Sequence, residues 1–431
     1  MNGTRRSVVE CEAIIIGAGP AGSSAGAILA GHGRTAIIID RAAFPRYRIG
    51  ESLIPYCWFP LDRLGLIEKI DRAPCTVQKH SVQFVGLDGK QTTPFYFRQH
   101  IDHDCARTWQ VVRSAFDQLL LDNAIEKGAQ VRLGLAARRL IRDGETITGV
   151  VAADDAGREI EFRGSMTLDA SGRDSFAAQQ LGWRIDDPQL RKIALWTYYK
   201  GAKRDPGIDE GATTVAYLPG KGWFWYIPLP DDIVSVGIVC EREYLYRDAH
   251  LDPRGMFERE VEIQPWIKSH LSGATQQGEY RVTGDYSYRS KHCAADGLLL
   301  VGDAFGFLDP VFSSGVFLAL YTGVLAGDAV HEALGDGDVS AARFSAYGEK
   351  FRSGIEAMRR LVYAFYDTEF SFGSFLKAHP EFRRDLTDCL IGNVEKDFDP
   401  LFAAAREFAD IPVALPHGRP LSTTPAGASG T

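Results

Sequence analysis

The sequence predicts an α/β fold in which a parallel sheet covered by helices is combined with an antiparallel sheet and a helical C-terminal region. Three observations lead to this prediction. Residues 12–40 read as strand, small-residue helix and strand, residues 193–240 hold several apolar β-type runs, and residues 340–408 have helical periodicity. A chain of 431 residues is longer than one ordinary domain, so several units are expected.

Composition and charge exclude several classes of protein. With 45% hydrophobic and 24% charged residues the chain has an ordinary globular composition, which excludes disorder throughout. Its net charge of −8 lacks the basic excess of a nucleic-acid binder, so no nucleic-acid partner is expected. Seven cysteines without metal-like or redox spacing favour a reducing, cytoplasmic location. The longest uncharged run, 310–327, contains proline and glycine and predicts a loop followed by a buried helix, so no transmembrane segment is expected.

The first element pair surrounds a glycine-rich turn. A strand over 12–16 runs into the motif GAGPAG, followed by a helix over 21–30 and a strand over 35–39 that ends in Asp40 and Arg41. The motif consists of Gly17, Ala18, Gly19, Pro20, Ala21 and Gly22. Glycines allow a tight turn and close approach of a pyrophosphate, the helix N-terminus offers free N–H groups, and Asp40 can accept a ribose hydroxyl. The unit predicts a Rossmann-like dinucleotide site, against the alternative of a glycine turn without a ligand.

The middle of the chain is predicted to be rich in strands. Strands over 81–85 and 95–97 flank a turn, a helix spans 114–126, and a hairpin covers 147–162. A buried strand over 298–301 leads into Gly302-Asp303. An aspartate at the end of such a strand can hold the ribityl hydroxyls of a flavin, and together with the glycine motif it favours FAD over NAD.

Five motifs in order resemble one superfamily. GAGPAG, RIGES (48–52), Arg113 in WQVVRSAFD, DASGR (169–173) and GDA (302–304) are similar to the hydroxybenzoate-hydroxylase-like FAD oxidoreductases over about residues 10–370. That superfamily includes aromatic hydroxylases, geranylgeranyl reductases and flavin-dependent halogenases. The cofactor-binding residues that the resemblance implies are Gly17, Gly19, Pro20, Ala21, Gly22, Asp40, Arg41, Arg48, Ser52, Arg113, Gly302, Asp303 and Pro310.

The resemblance also implies a division into domains. The FAD-binding domain would comprise 10–75, 105–180 and 281–339, the substrate-facing β-sheet domain 76–104 and 181–280, and the helical C-terminal region 340–411. Residues 412–431 are rich in Pro, Gly, Ser, Thr and Ala, which predicts a disordered tail.

An aromatic strand distinguishes members of the superfamily. Residues 223–228, WFWYIP, resemble the WxWxIP signature of flavin-dependent halogenases. Trp223 and Trp225 are two apart on a strand, so both rings face one side. In that family the ring pair is thought to separate flavin from substrate; the alternative is an aromatic face that packs the core. Geranylgeranyl reductases carry a looser version of this stretch.

Lys79 is the candidate catalytic amine. Its position resembles that of a lysine in the halogenases, where an ammonium or amine holds hypohalous acid or forms a haloamine. Burial can lower the pKa of a lysine and make it a nucleophile. The alternative is a solvated lysine at the start of a strand.

The stretch 307–315, FLDPVFSSG, is the candidate halide loop. Consecutive N–H groups that open a helix form an anion site, and the resemblance places halide at Ser314 and Gly315. Tryptophan halogenases have a glutamate where this chain has Phe312, so a phenol- or pyrrole-like substrate is expected rather than free tryptophan. His100 to Asp104 is interpreted as a polar loop, and no metal is expected.

The resemblance therefore implies halogenation, with chloride or bromide, of an electron-rich aromatic that is free or carrier-tethered. Reduced FAD and O2 would act through a C4a-hydroperoxide and hypohalous acid, and a separate flavin reductase would supply reduced FAD, because no second nucleotide motif is present. The alternatives are a geranylgeranyl-reductase-like enzyme acting on an isoprenoid or lipid, an FAD-dependent aromatic monooxygenase, and a flavin-binding protein without turnover.

Overall fold

The computed structural model describes residues 7–248, 250–284 and 287–421 as a mixed α/β structure. The strands are β1 (Ser7–Ile16), β2 (Ala36–Asp40), β3 (Thr76–Lys79), β4 (Ser81–Val85), β5 (Phe95–Tyr96), β6 (Thr108–Val111), β7 (Gln130–Leu133), β8 (Ala136–Asp143), β9 (Thr146–Ala153), β10 (Glu159–Asp169), β11 (Arg184–Asp186), β12 (Lys192–Lys200), β13 (Thr213–Tyr217), β14 (Trp223–Leu229), β15 (Ile233–Glu241), β16 (Thr275–Gly284), β17 (Tyr288–Ser290), β18 (Ala294–Ala295), β19 (Leu298–Leu300) and β20 (Gly306–Phe307). The helices are α1 (Pro20–Gly31), α2 (Trp58–Arg63), α3 (Ile67–Asp71), α4 (Arg113–Glu126), α5 (Phe176–Gln180), α6 (Arg242–Leu245), α7 (Pro253–Ile263), α8 (Pro265–Leu271), α9 (Ser314–Asp336), α10 (Ser345–Tyr366), α11 (Phe372–Ala378), α12 (Arg383–Ile391) and α13 (Asp399–Ala405). This architecture confirms the predicted α/β class and the helical C-terminal region.

One sheet is built around five parallel strands, β19, β10, β1, β2 and β7. Its main path runs β18-β19-β10-β1-β2-β7, and the hairpin β8–β9 adds to β10. The end of β1, Ala13 to Ile16, is buried on both faces, since alternate side chains enter two different apolar clusters. A continuous apolar run is what a strand covered on both faces requires.

Small residues bring α1 and α9 into close contact. A Cβ atom at Gly327 would lie 2.6 Å from Cβ of Ile28, and one at Gly323 would lie 2.5 Å from the carbonyl oxygen of Ala21. Larger side chains at these positions would push the helices apart. The close packing fixes the start of α9 relative to the glycine-rich turn at the start of α1.

The second sheet has the order β16-β12-β15-β14-β13-β4-β5. The four strands between residues 192 and 241 pair antiparallel, as the sequence predicts. β4 is parallel to β13, with Val82 opposite Thr213, although more than 120 residues separate them. Long-range pairing of this kind leaves no local pattern in a sequence, so periodicity could not reveal it. The predicted boundary at residue 280 falls inside β16.

The C-terminal segment returns to the body of the protein. Backbone N–H groups of Gly418 and Leu421 donate to the carbonyl oxygens of Lys291 and Ala294, at 2.9 and 2.8 Å. This part of the predicted tail is therefore paired with the β17–β18 region rather than disordered. The remainder of the predicted tail, residues 422–431, lies outside the described residues.

Within the described ranges, no helix combines the length and the apolar character needed to cross a lipid bilayer. α9, which contains most of the longest uncharged run, packs instead against α1 and α10.

A buried ion network ties α4 to the segment between β2 and α2. The carboxylate of Asp117 is fully buried and accepts from Arg113 Nε at 2.8 Å and from Arg46 Nη1 at 2.9 Å. Both guanidinium groups are largely shielded from solvent, so each depends on this carboxylate for compensation of its charge.

Asp117→Ala is expected to lower the free energy of unfolding by about 3–5 kcal/mol, because it leaves two buried cations without a counter-ion. Glu68→Ala is the control, since it removes an exposed pair with Arg72 and should cost below about 1 kcal/mol. Thermal and urea unfolding of the two variants measure the difference. Equal losses in both would contradict the assignment.

Candidate active site

The turn after β1 has the shape of a dinucleotide cradle. Gly17 has a φ of 108°, in the range that favours glycine, and a Cβ there would lie 2.3 Å from the carbonyl oxygen of Ala170. A Cβ at Gly22 would lie 1.8 Å from the carbonyl oxygen of Gly17. Gly19 is the N-cap of α1, and no side chain caps the first turn of that helix. The turn therefore fits a pyrophosphate, which needs close backbone approach and free N–H groups.

Asp40 braces this turn. Its Oδ2 accepts from the backbone N–H of Ala18 and its Oδ1 from that of Ala42, each at 2.8 Å. A carboxylate has about four acceptor sites, so two hydrogen bonds leave room for a ribose hydroxyl. The position at the end of β2 agrees with the predicted role.

Three arginines lie near the turn with different surroundings. Arg41 forms an exposed ion pair with Asp174 at 2.8 Å, and Arg48 donates to the carbonyl oxygen of Tyr47. Arg46 reaches over the turn, since its Nη2 would lie 3.2 Å from a Cβ at Gly19. Sequence reasoning missed Arg46, because the local sequence FPRYRIG does not show which of its arginines will contact the glycine-rich turn.

Asp303 is the second carboxylate that fits a flavin. It follows β19, and burial raises its pKa to about 6, while Arg173 and Arg113 partly oppose the rise. Its carboxylate has no hydrogen bond within the described part of the chain. A carboxylate whose oxygens remain available as acceptors suits the ribityl hydroxyls of a flavin, so the residues present fit FAD.

Arg113 is a predicted cofactor-binding residue, and its described hydrogen bonds go to groups of the protein. Nη1 donates to the carbonyl oxygens of Ile49 and Gly50, and Nε and Nη2 donate to Asp117. Gly50 has a φ of 104°, and a Cβ there would lie 2.9 Å from Nη1. Arg113 therefore holds the segment 49–53 in place.

That segment presents consecutive side chains to opposite sides. Glu51 O accepts from Val111 N at 2.7 Å, and Leu53 N donates to Trp109 O at 3.0 Å, so the segment runs beside β6 like a strand. In extended backbone, neighbouring side chains point apart. Glu51 consequently faces β12 and β15, while Ser52 faces Lys79.

Lys79 is almost completely buried, with 1% exposure. Its Nζ donates to Ser52 Oγ at 2.8 Å and to Leu53 O at 3.0 Å, and it lies 5.6 Å from the centre of the Phe97 ring. No carboxylate pairs with it in the described ranges. Burial lowers its pKa to about 7, with slight opposition from the Cys57 thiol. This shift favours the neutral amine, and the burial shows that the alternative of a solvated lysine is wrong.

Ser52 was expected to bind the cofactor, but its hydroxyl contacts Lys79 and, at 2.9 Å, Thr213 Oγ1. Gln110 Nε2 donates to the same Thr213 oxygen at 2.8 Å, and its Oε1 is buried without a partner in the described structure. A short polar chain therefore backs the amine.

A strip of three indoles crosses one face of the second sheet. The rings of Trp223 and Trp225 are 6.3 Å apart, and that of Trp196 is 6.2 Å from Trp225. Gly237 stands opposite both Trp196 and Trp225 in the ladders, and a Cβ there would lie 2.2 Å from the Trp225 ring. The predicted pair on one face is thus part of a larger strip, which Gly237 makes room for.

Tyr366, at the end of α10, joins this strip to the candidate halide loop. Trp223 Nε1 donates to Tyr366 OH at 2.9 Å, and Tyr366 OH donates to Asp309 Oδ2 at 3.0 Å. Asp309 also accepts from Val311 N at 3.1 Å and so shapes the turn after Pro310. The local sequence does not distinguish Tyr366 from neighbouring aromatic residues, because both of its hydrogen-bond partners are distant in sequence.

The candidate halide residues open a long helix. Ser314 and Gly315 are the first residues of α9, which has 23 residues, and Ser313 before them has a φ of 54° without a side-chain cap. Phe312 packs edge-on against Phe365, 5.8 Å away, and Phe372, 6.5 Å away.

The described residues also contain no cluster of three or more His, Cys, Asp or Glu side chains that could hold a metal ion.

Comparisons with known proteins agree with this geometry. The sequence model of the tryptophan halogenase family matches residues 88–371. The chain is 33% identical over 384 residues to the 1H-pyrrole-2-carbonyl peptidyl-carrier-protein brominase of Pseudoalteromonas luteoviolacea, covering 88% of this chain and 91% of the relative. It is 29% identical over 407 residues to the corresponding chlorinase of Pseudomonas fluorescens, covering 89% of each.

Among solved structures, the flavin-dependent brominase Bmp2 superimposes with a TM-score of 0.83 at 30% identity, covering 93% of this chain and 98% of Bmp2. These matches confirm the resemblance stated from the motifs, and with it FAD as cofactor. The chain belongs to the tryptophan halogenase family of flavin-dependent halogenases and is an FAD-dependent oxidoreductase.

Proposed function

We propose that this protein halogenates an electron-rich, pyrrole- or phenol-like aromatic carried on a carrier protein, with Lys79 as the amine that delivers the halogen. The observation that supports the proposal most directly is the buried amine. An unpaired lysine at 1% exposure is costly to keep, and such groups cluster at functional sites.

The lysine can carry an oxidised halogen without a net charge change. A neutral amine and hypohalous acid give a haloamine and water, as an N–halogen bond forms and the halogen–oxygen bond breaks. The aromatic carbon then takes the halogen, and the amine recovers its proton from that carbon. Only the neutral amine has the lone pair for this step, and burial of Lys79 supplies it near pH 7.

The residues that would hold FAD are the turn from Gly17 to Gly22, Asp40, Arg46 and Asp303. Bound and reduced, FAD supplies the electrons that activate O2. We assign Ser314 and Gly315 to the halide, because a long helix offers its first N–H groups there. Trp223 and Trp225 would separate this region from the organic substrate.

Two observations support a carrier-bound, pyrrole- or phenol-like substrate. The brominase and chlorinase relatives are named for a pyrrole-2-carbonyl group on a peptidyl-carrier protein. Phe312 puts an apolar ring where a tryptophan halogenase has a glutamate, so the substrate must bring its own activated ring. Reduced FAD would come from a separate flavin reductase, and we place the protein in the cytoplasm with it.

The substrate assignment predicts halogenated pyrrole-2-carbonyl carrier protein when the enzyme is incubated with FAD, a flavin reductase, NADH and bromide or chloride. Free pyrrole-2-carboxylate and a panel of phenols are run alongside, with mass spectrometry of each product. Turnover of free phenols alone would overturn the carrier assignment, and a hydroxylated product would favour the monooxygenase. Omission of the reductase should stop NADH consumption.

Lys79→Met and Lys79→Arg are both expected to abolish halogenated product while NADH and O2 consumption continue. Arginine keeps a charge and hydrogen-bond donors but offers no neutral amine, so it separates nucleophilic delivery from electrostatic binding. The measurement is product formed per NADH consumed. Retained product in Lys79→Arg would contradict the haloamine step.

The low pKa of Lys79 also predicts how stability depends on pH. Between about pH 7 and 10.5 the unfolded chain keeps the lysine proton and the folded chain does not, so wild-type stability should rise relative to Lys79→Met by roughly 1.4 kcal/mol per pH unit. Urea unfolding of both proteins at several pH values tests this. Lys90→Met is the control, because the amine of Lys90 is exposed and its loss should change stability equally at every pH. If the stability difference between wild type and Lys79→Met is equally independent of pH, the pKa of Lys79 is not depressed.

A further inference from the structure

Glu51 is a buried carboxyl group to which neither the motifs nor the proposed function give a chemical role. It is 4% exposed, and its Oε2 has no hydrogen-bond partner among the described residues. An unpaired carboxyl oxygen in such a place is costly. With only the Ser235 hydroxyl nearby, this oxygen can exchange a proton with a ligand or a reacting atom.

The surroundings of Glu51 place it at the centre of the candidate site. Gly50, its neighbour, lies against α9, since a Cβ at Gly50 would be 3.7 Å from a methyl group of Val316, two residues after Ser314. On the sheet side, the Ser235 hydroxyl beside Glu51 accepts from Trp225 Nε1 at 3.1 Å. Glu51 therefore lies between the start of α9 and the tryptophan strip.

The other carboxyl oxygen is connected to the surface. Tyr198 OH donates to Glu51 Oε1 at 2.8 Å, and Tyr47 OH donates in turn to Tyr198 OH at 2.9 Å. Trp196 Nε1 donates to Tyr47 OH at 2.7 Å and thereby fixes the direction of the chain. Tyr47 is 38% exposed, so the hydroxyl chain runs from solvent to a buried carboxyl group.

We propose that Glu51 is the acid that protonates the oxygen atom released as water in the proposed halogenation. Tyr198 and Tyr47 then pass a proton from solvent back to Glu51. A proton would leave from Oε2 and be replaced at Oε1 by that of Tyr198. Tyr198 takes the proton of Tyr47, and Tyr47 takes one from water. This inference rests on the proposed function, since the acid needs that reaction to serve.

The reaction requires such an acid. Reduced FAD (FADH2), O2, halide and one proton give FAD, hypohalous acid and water. The O–O bond breaks, one oxygen bonds to the halogen and the other leaves as water, which takes the proton of Glu51. O2 gains four electrons, two from the halide and two from reduced FAD. A site that excludes bulk water must bring this proton in through its own side chains.

The electrostatics suit an acid that works near neutral pH. Burial raises the pKa of Glu51 to about 7, and the Ser235 and Tyr198 hydroxyls and the Arg113 guanidinium limit the rise. Burial and the nearby Glu51 raise the pKa of Tyr198, and burial raises that of Tyr47 despite the Arg281 guanidinium over its ring. Both tyrosines therefore stay protonated and relay protons through neutral hydroxyl groups.

The test compares Glu51→Gln, Tyr198→Phe and Tyr47→Phe with a matched control. Tyr199→Phe removes a hydroxyl from the next residue of β12, on the opposite face, where it lies 3.5 Å from Tyr280 OH. The first readout uses protein without FAD: infrared spectra across pH should show a protonated carboxyl band that titrates near pH 7. Glu51→Gln should lose this band and keep only the contribution of Asp303, whose pKa of about 6 lies lower, and Tyr199→Phe should keep both.

The second readout is the pH profile of halogenated product formation with FAD and a flavin reductase. Wild type should give a bell, rising as Lys79 loses its proton and falling as Glu51 loses its own. Glu51→Gln should lose about 10²–10⁴-fold in rate together with the falling limb. Tyr198→Phe and Tyr47→Phe should be slowed to a lesser extent with a changed solvent deuterium effect, whereas Tyr199→Phe should match wild type.

The outcomes separate the two proposals. If wild type halogenates but Glu51→Gln keeps both the falling limb and the infrared band, the role of Glu51 is overturned. If wild type forms no halogenated product on any substrate, the proposed function fails, whatever the infrared band does. If Tyr198→Phe and Tyr47→Phe both halogenate at the wild-type rate, the role of the hydroxyl chain is overturned.

Discussion

The desolvation of one amine is the constraint on which the rest of the site depends. Lys79 has no counter-ion in the described structure, so its environment favours the neutral form and thereby the lone pair. Phe97, Ser52 and the carbonyl oxygen of Leu53 contact Nζ and shield the amine from water. Ser52 and Leu53 belong to the segment 49–53, which is held by Arg113 and by backbone hydrogen bonds to β6.

The same segment carries side chains that contact two different parts of the site. Its extended backbone turns Ser52 towards the amine and Glu51 towards the tryptophan strip and the start of α9. A displacement of the segment would disturb both sides at once. Asp117, which compensates Arg113 and Arg46, is therefore important for the site although it contacts neither Lys79 nor Glu51.

Packing and hydrogen bonds together fix the indole strip on the second sheet. Gly237 lets Trp225 lie against its strand, Ser235 accepts its indole N–H, and Tyr366 holds Trp223. A wall of indoles that is fixed by hydrogen bonds at two of its rings stays in one orientation. Because Tyr366 also holds Asp309, the wall and the candidate halide loop share one anchor.

The sequence by itself determined the local features: the glycine turn from Gly17 to Gly22, the Asp40 at the end of β2, the antiparallel run 193–240 and the paired indoles. Each depends on neighbours within a few residues, where backbone geometry sets side-chain direction. Only the tertiary structure decided that Ser52 and Arg113 hold protein groups, and that Lys79 is buried. Such partners lie tens to hundreds of residues apart, and burial is a property of the packed chain that no local pattern carries.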